Sequence, residues 1–196
     1  MPGIDVQHSM SPVRTMTHRY YRPSAKARTA AVMALLYESN EEDLHITLIK
    51  RTSHPKDQHS GQISFPGGGL DESDKSLVDC ALRETFEETG INREEIQVLG
   101  SLSPLYVYAS NNMVYPYVGY YRGIPTFDPE PTEVEQIINV PLTYMMRPEI
   151  VSTTELQVRG FTLPEVPYYD VNGHVLWGAT AMMMAELLSL WKEIRV

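Results

Sequence analysis

Cysteine is almost absent from this chain. Cys80 is the only one among 196 residues, so no internal disulfide can form, and we expect a cytoplasmic protein in a reducing compartment. Its position inside a helix-like stretch indicates a small buried residue and not a nucleophile. Apolar runs of membrane-spanning length and a secretory signal are also lacking, so we expect no contact with a membrane.

Positive charge is scarce as well. The chain has 16 Lys and Arg against 25 Asp and Glu, a formal net charge of −9. A surplus of this sign argues against nonspecific binding to nucleic acid or to an anionic membrane. An anionic small molecule remains an acceptable partner, because a metal ion and a local basic patch can reverse the sign inside a cleft.

Hydrophobic patterns predict an α/β protein. The apolar runs Thr29–Tyr37 and His45–Arg51 are typical of two paired strands. Asn172–Gly173 between two further runs predicts a second hairpin, and a final helix is expected over residues 178–194. Pro116 should lie at a bulge or a sheet edge. We predict an N-terminal extension over residues 1–27 and one domain over residues 28–196.

A helix rich in acidic residues is predicted to end at Gly90, since glycine readily adopts the left-handed conformation that closes helices. Ser73 or Asp74 is expected to cap its start. Phe86 is expected on its apolar side, together with Thr85.

Three glutamates of this helix, Glu84, Glu87 and Glu88, are spaced to share one face. Like charges at this spacing repel by about 0.2–0.5 kcal/mol per pair, and the helix C-terminus is a poor place for acids. A divalent cation would compensate, because hard cations prefer carboxylate oxygens. The alternative is a solvated acidic face.

A glycine run, Gly67–Gly69, follows the strand-like residues 62–65 and precedes the acidic helix. Glycine lets the backbone approach a phosphate closely. The stretch from Gly67 to Ile91 resembles the Nudix box, Gly-x5-Glu-x7-Arg-Glu-U-x-Glu-Glu-x-Gly-U, where U is aliphatic. The positions in register are Gly69, Arg83, Glu84, Glu87, Glu88, Gly90 and Ile91. Lys75 and Thr85 depart from it, at the first Glu and the first U.

The resemblance implies a Nudix fold, an α/β/α sandwich with a mixed central β-sheet, and a pyrophosphohydrolase. It implies Mg²⁺ or Mn²⁺ held by Gly69, Glu84, Glu87 and Glu88, with Glu87 as a further ligand or as the base. Arg83 would orient the glutamates, while Gly67 and Gly68 would face the phosphates. A further glutamate of the site is expected at Glu133 or Glu135.

Upstream of the box, the chain resembles the coenzyme A pyrophosphatase branch of this family. Gly61, Phe65 and the following Pro-Gly-Gly match its signature. Its basic half is altered, so the phosphate contacts are assigned to Arg51 and His59 as expectations. The resemblance implies a nucleotide-diphosphate substrate, most favourably coenzyme A, and allows a homodimer. Two alternatives stay open, a Nudix hydrolase for ADP-ribose, NADH or another nucleotide, and a non-catalytic module that senses a nucleotide.

Overall fold

The structure is a computed structural model that describes residues 2–12, 23–39, 43–53, 61–158 and 160–194. Its helices are α1 (Gly3–Gln7), α2 (Leu77–Thr89), α3 (Leu142–Met145) and α4 (Gly178–Ile194). Its strands are β1 (Arg28–Glu38), β2 (Leu44–Arg51), β3 (Ile63–Ser64), β4 (Gly67–Gly69), β5 (Ile96–Ser101), β6 (Leu105–Val107), β7 (Asn112–Tyr121), β8 (Val134–Pro141), β9 (Val151–Val158), β10 (Phe161–Val171) and β11 (His174–Trp177). In these ranges no helix has the length and apolar character needed to cross a bilayer.

The central sheet is mixed and has eight strands. Its core order is β3-β2-β1-β7-β5, in which β1 and β7 are parallel. In addition, β4 pairs with β1, β6 pairs with β7, and β8 pairs with β2. The predicted hairpin of β1 and β2 is confirmed, since the two strands pair antiparallel. The Asn172–Gly173 hairpin is also confirmed, because Val171 pairs with His174 and both turn residues have positive φ.

Strand β1 has a core on each of its two faces. Ala31, Met33 and Leu35 pack with Cys80 and Ala81 of α2. The alternate residues of β1 belong to a larger cluster that includes Met183 of α4. Because successive side chains of a strand point to opposite faces, the sheet lies between α2 and α4. The structure therefore confirms the predicted α/β/α sandwich.

Part of the predicted N-terminal extension packs on α4. Gln7 is fully buried and donates from its amide nitrogen to Oε2 of Glu186 at 2.7 Å. Met10, three residues further on, belongs to the larger core cluster. The boundary at residue 27 stays a prediction, although this part of the segment contributes to the core of the domain.

Pro116 is predicted at a bulge or an edge, and of these two alternatives the edge is wrong. β7 has β1 on one side and β6 and β5 on the other, so it is an interior strand. Pro116 lies between Val114, the last residue paired with β6, and Tyr117, which pairs with β5. A missing N–H is tolerated at this change of partner, and the Pro116 carbonyl accepts from Leu102 N at 2.9 Å.

Candidate active site

The acidic helix α2 ends where the sequence predicts but begins with another cap. Gly90 has φ 75° and its N–H donates to the Phe86 carbonyl at 2.8 Å, which confirms the predicted end. The cap is Ser76, whose hydroxyl accepts from Asp79 N. The expectation of Ser73 or Asp74 is wrong, because the Ser73 side chain bonds Asp71 and the Asp74 carboxylate bonds Arg83.

The inward face of α2 carries Glu88, not Phe86. Ala81, Thr85 and Glu88 follow one another at helical spacing and are all buried. Phe86 is 50% exposed, so its assignment to the apolar side is wrong. It lies one residue, and therefore about 100°, past Thr85 on the helix.

Glu88 is held by two donors in a buried position. Its side chain is 1% exposed. Oε2 accepts from Gly67 N at 2.8 Å, and Oε1 accepts from Arg51 Nη1 at 3.2 Å. Burial raises the pKa of Glu88 to about 8, and the charges of Glu84 and Glu133 act in the same direction, against Gly67 and Arg51. A positive charge beside Glu88 would therefore be strongly favoured.

Arg83 joins the other two glutamates of the box. Its Nη1 donates to Glu84 Oε1 and to Glu87 Oε2, each at 2.9 Å, and its Nη2 donates to the Gly69 carbonyl at 3.1 Å. Glu84 is half-buried, and burial is the largest cause of its raised pKa, whereas the Glu87 side chain is 49% exposed. The guanidinium thus offsets the repulsion between these two neighbours.

Asp74 is a functional candidate that sequence reasoning treated only as a cap. Arg83 donates from Nε to its Oδ1 at 2.8 Å and from Nη2 to its Oδ2 at 2.9 Å. These bonds hold the pKa of Asp74 at about 2, and the Arg83 hydrogen bond is the largest cause. The sequence feature that could have identified Asp74 is its position: it directly precedes Lys75, which occupies the place of the first Glu of the box.

Two glycines of β4 are required by close approaches. A Cβ at Gly67, which has φ 151°, would collide with the backbone of β1 at Ala31 and Val32. A Cβ at Gly68 would occupy the space of the Glu84 carboxylate. The glycine strand therefore brings its backbone against the acidic helix.

A cleft of about 390 Å³ opens where β4, α2 and the residues ahead of β8 meet. It is lined by Arg51, Thr52, Gly67, Gly68, Gly69, Glu84, Glu88, Thr132 and Glu133. Six of these were expected at the site from the sequence, Thr52 and Thr132 were not, and Glu133 was one of two candidates. His59 lies outside the described residues.

The structure separates Glu133 from Glu135. Glu133 lines the cleft, and its backbone carbonyl accepts from Thr52 N at 2.9 Å. The Glu135 carboxylate instead pairs with Lys50 Nζ at 2.6 Å. Alternation along a strand cannot separate these two residues, because they are two positions apart and flank Val134, the first residue of β8. The ion pair of Glu135 with Lys50 is what distinguishes them.

The carboxylate oxygens in the cleft are ligands of the type that a hard divalent cation prefers. Glu84, Glu88 and Glu133 line one space, and burial, followed by the charges of Glu84 and Glu133, raises the pKa of Glu88. In the ranges that the structure describes, no three His, Cys, Asp or Glu side chains converge closely enough to form a complete metal-binding group. Arg83 and Arg51 hold Glu84 and Glu88 in this arrangement, so binding a cation requires that these ion pairs adjust.

Comparison with known proteins agrees with this geometry. The Nudix domain matches residues 27–156. An uncharacterised Nudix hydrolase, NudL of Photorhabdus laumondii, is 35% identical over 71% of this chain and 74% of its own length. The mitochondrial Nudix hydrolase 15 of Arabidopsis thaliana is 30% identical over 97% of this chain and 66% of its own length. This chain thus spans about two thirds of that longer relative.

Solved structures show the same fold. RenU, a Nudix hydrolase of M. smegmatis, has a TM-score of 0.60 at 14% identity and covers 87% of this chain and 89% of its own. The Nudix domain of Shewanella oneidensis NrtR, solved with ADP-ribose, has a TM-score of 0.52 at 16% identity, over 92% and 100% of the two chains. The domain match over residues 27–156 and the curated relatives show that this chain belongs to the Nudix family. It is a pyrophosphohydrolase of a family that generally uses divalent metal ions, typically Mg²⁺.

Proposed function

We propose that this enzyme hydrolyses the diphosphate bond of coenzyme A or an acyl-coenzyme A, with Mg²⁺ or Mn²⁺. The products are adenosine 3′,5′-bisphosphate and the (acyl-)4′-phosphopantetheine. The observation that carries the hydrolysis is one cleft in which Glu84, Glu88 and Glu133 face the glycine strand β4. A diphosphate is anionic and repels hydroxide, so carboxylates are useful here only together with a cation.

Each residue of the site has a separate task in this proposal. Glu84 and Glu88, with Glu133 and the Gly69 carbonyl, hold the cation, which when bound screens the phosphate charge and activates water. Glu87 is the more exposed box glutamate, and it acts as a further ligand or as the base that takes the proton of the water. Arg83 orients Glu84 and Glu87 through Nη1.

Glu88 is placed by its two donors, and the substrate reaches the site from the open side of the cleft. Gly67 N–H and Arg51 fix the two carboxylate oxygens. Arg51 lines the cleft, so the same guanidinium can meet a phosphate oxygen once a cation binds beside Glu88. Gly68 has no side chain, and this leaves the room that the Glu84 carboxylate occupies beside the cleft.

The choice of coenzyme A is supported by sequence and not by contacts. The residues from Gly61 to Gly68 match the coenzyme A pyrophosphatase signature, and Ile63 and Phe65 are buried in the larger core cluster. The altered basic half of that signature, with His59, falls in residues 54–60, outside the described ranges. The alternative is another nucleotide diphosphate, for which the ADP-ribose bound to the related NrtR domain is the supporting observation.

A substrate panel tests the proposal. Purified enzyme is incubated with coenzyme A, acetyl-coenzyme A, ADP-ribose and NADH, each with Mg²⁺, with Mn²⁺ and with EDTA, and the products are separated by chromatography. We expect metal-dependent formation of adenosine 3′,5′-bisphosphate with the highest kcat/KM. A higher kcat/KM for ADP-ribose or NADH would favour the alternative, and no cleavage of any diphosphate would favour a nucleotide sensor.

Glu133 and Glu135 form a matched pair for mutagenesis. Glu133→Gln should lower kcat by about 10–100-fold and raise the metal concentration needed for half-maximal activity, because it removes a charge from the cleft. Glu135→Gln should retain activity, since it removes only an exposed pair with Lys50. Equal effects in the two variants would contradict the assignment of Glu133, and steady-state kinetics over a Mn²⁺ titration measures both.

The cellular compartment and the oligomeric state are also proposals. The single cysteine is buried in α2, and burial raises the pKa of its thiol to about 11, which supports a thiol kept unreactive in a reducing compartment such as the cytoplasm. A homodimer is also proposed, and light scattering on the purified chain at two concentrations tests it.

A further inference from the structure

The residue at the first glutamate position of the Nudix box is Lys75, and a lysine cannot form an ion pair with Arg83. In the structure Lys75 is exposed, and its backbone N–H donates to Asp79 Oδ2 at 3.0 Å. The preceding residue, Asp74, forms a bidentate pair with Arg83 instead. An acid one position before Lys75 therefore forms an ion pair with Arg83.

Asp74 is fixed from the side of the loop as well. Its side chain is 1% exposed, and Oδ2 also accepts from Asp71 N at 2.8 Å. Bidentate pairs between arginine and carboxylate are directional, so Asp74 sets the plane of the guanidinium as well as its position. The ordered loop thereby determines where Arg83 points.

The bonds of Arg83 account for all of its hydrogen-bond donors. A guanidinium has five N–H groups. Two of them go to Asp74, and the remaining three go to Glu84, Glu87 and the Gly69 carbonyl, while Nη2 also lies 3.8 Å from Cys80 Sγ in a weaker, shared contact. These last three acceptors all belong to the site proposed above. The two N–H groups that bond Asp74 are therefore not available to form a bidentate pair with Glu84 or Glu87.

We propose that Asp74 is a positioning residue for hydrolysis, which replaces the missing box glutamate and acts through Arg83. This inference rests on the proposed function. By occupying the Nε side of Arg83, Asp74 leaves Glu84 and Glu87 with one hydrogen bond each, so that both keep oxygen capacity for a cation. Without it, Arg83 turns and pairs more tightly with Glu84 or Glu87, which places those carboxylates wrongly.

The test compares Asp74→Asn with Asp71→Asn. Both changes remove one negative charge from the same loop, but Asp71 bonds Ser73 and not Arg83. We expect Asp74→Asn to lower kcat by about 10–100-fold and to raise the Mn²⁺ concentration for half-maximal activity, with KM for the diphosphate little changed. Asp71→Asn should behave as the parent enzyme.

A second readout does not require activity. In a ¹H–¹⁵N spectrum, the Nε–H of Arg83 should be visible and slow to exchange in the parent and in Asp71→Asn, and lost in Asp74→Asn. An Asp74→Asn variant with the parental kcat and metal requirement, or one that merely unfolds at lower temperature with unchanged kinetics, overturns the proposal. If the parent cleaves no diphosphate, the proposed function fails, while the Nε–H signal and Mn²⁺ binding still decide whether Asp74 positions Arg83.

Discussion

Replacing Glu88 with glutamine is expected to reduce metal-dependent hydrolysis by roughly 10²–10³-fold, the range found when a group that stabilises charge in a transition state is removed. Glu88 is the most buried carboxylate of the cleft, at 1% exposure, and it has donors on both oxygens. Glutamine keeps the shape of the side chain but carries no charge to offer a cation. Kinetics over a Mg²⁺ titration measures the loss.

The same variant should fold, and its stability should depend less on pH. Burial raises the pKa of Glu88 to about 8, well above the usual value of about 4.3 for an exposed glutamate. A carboxyl whose pKa is raised by folding gives its full contribution to stability below the unfolded pKa, and that contribution is lost as the pH rises through the folded pKa. The metal-free parent should therefore lose thermal stability between about pH 5 and pH 8, and Glu88→Gln should lose less of it.

Glu135→Gln is the control for Glu88→Gln, because it removes a glutamate charge that is paired with Lys50 outside the cleft lining. Circular dichroism establishes that both variants fold. Parental turnover in a folded Glu88→Gln enzyme would end the metal hypothesis for this helix. A parent and variant with the same pH profile of thermal stability would show that folding does not raise the pKa of Glu88.

Features determined by local chemistry were predictable from the sequence. Gly90 ends α2 because the left-handed conformation is inexpensive for glycine. The Asn172–Gly173 turn and the β1–β2 hairpin follow from period-two patterns and turn residues. The spacing also predicts one shared face for Glu84, Glu87 and Glu88, and of these Glu84 and Glu88, one turn apart, line the cleft, whereas the Glu87 side chain is 49% exposed and outside the lining.

Features determined by tertiary partners were not predictable in the same way. Asp74 and Ser76 can each cap a helix, and only the position of Arg83 decides that Asp74 is used elsewhere. Phe86 has the more apolar side chain, yet Glu88 is the buried one, because Gly67 and Arg51 supply its hydrogen bonds. Likewise, Glu135 pairs with Lys50 and Glu133 lines the cleft. Both contacts join segments that are distant in sequence, so the sequence does not separate the two glutamates.

Replacing Gly68 with alanine is expected to lower turnover by about 10²-fold, because misplacing a reacting group by about 1 Å can have that effect. The Cβ of alanine would occupy the space of the Glu84 carboxylate. Gly68 is outside the left-handed region, so alanine is compatible with its backbone, and the three atoms nearest to the added Cβ all belong to the Glu84 carboxylate. Arg83 holds Glu84 at 2.9 Å, so the displaced carboxylate also pulls on the guanidinium that orients Glu87.

Two further variants separate displacement of Glu84 from a general effect of the added methyl group. Gly100→Ala places a Cβ where no atom lies within 4 Å, and it should retain both turnover and thermal stability. Combining Gly68→Ala with Glu84→Asp shortens the displaced side chain by one methylene and should recover part of the lost activity, measured as kcat at saturating Mn²⁺.

If Gly68→Ala hydrolyses at the parental rate, Glu84 does not need its place against the glycine strand, and its role as a ligand in the cleft is wrong. If Gly68→Ala is inactive and Glu84→Asp restores nothing while the fold is intact, the glycine is needed for the approach of the diphosphate itself, because the methyl group then blocks the substrate and not the glutamate.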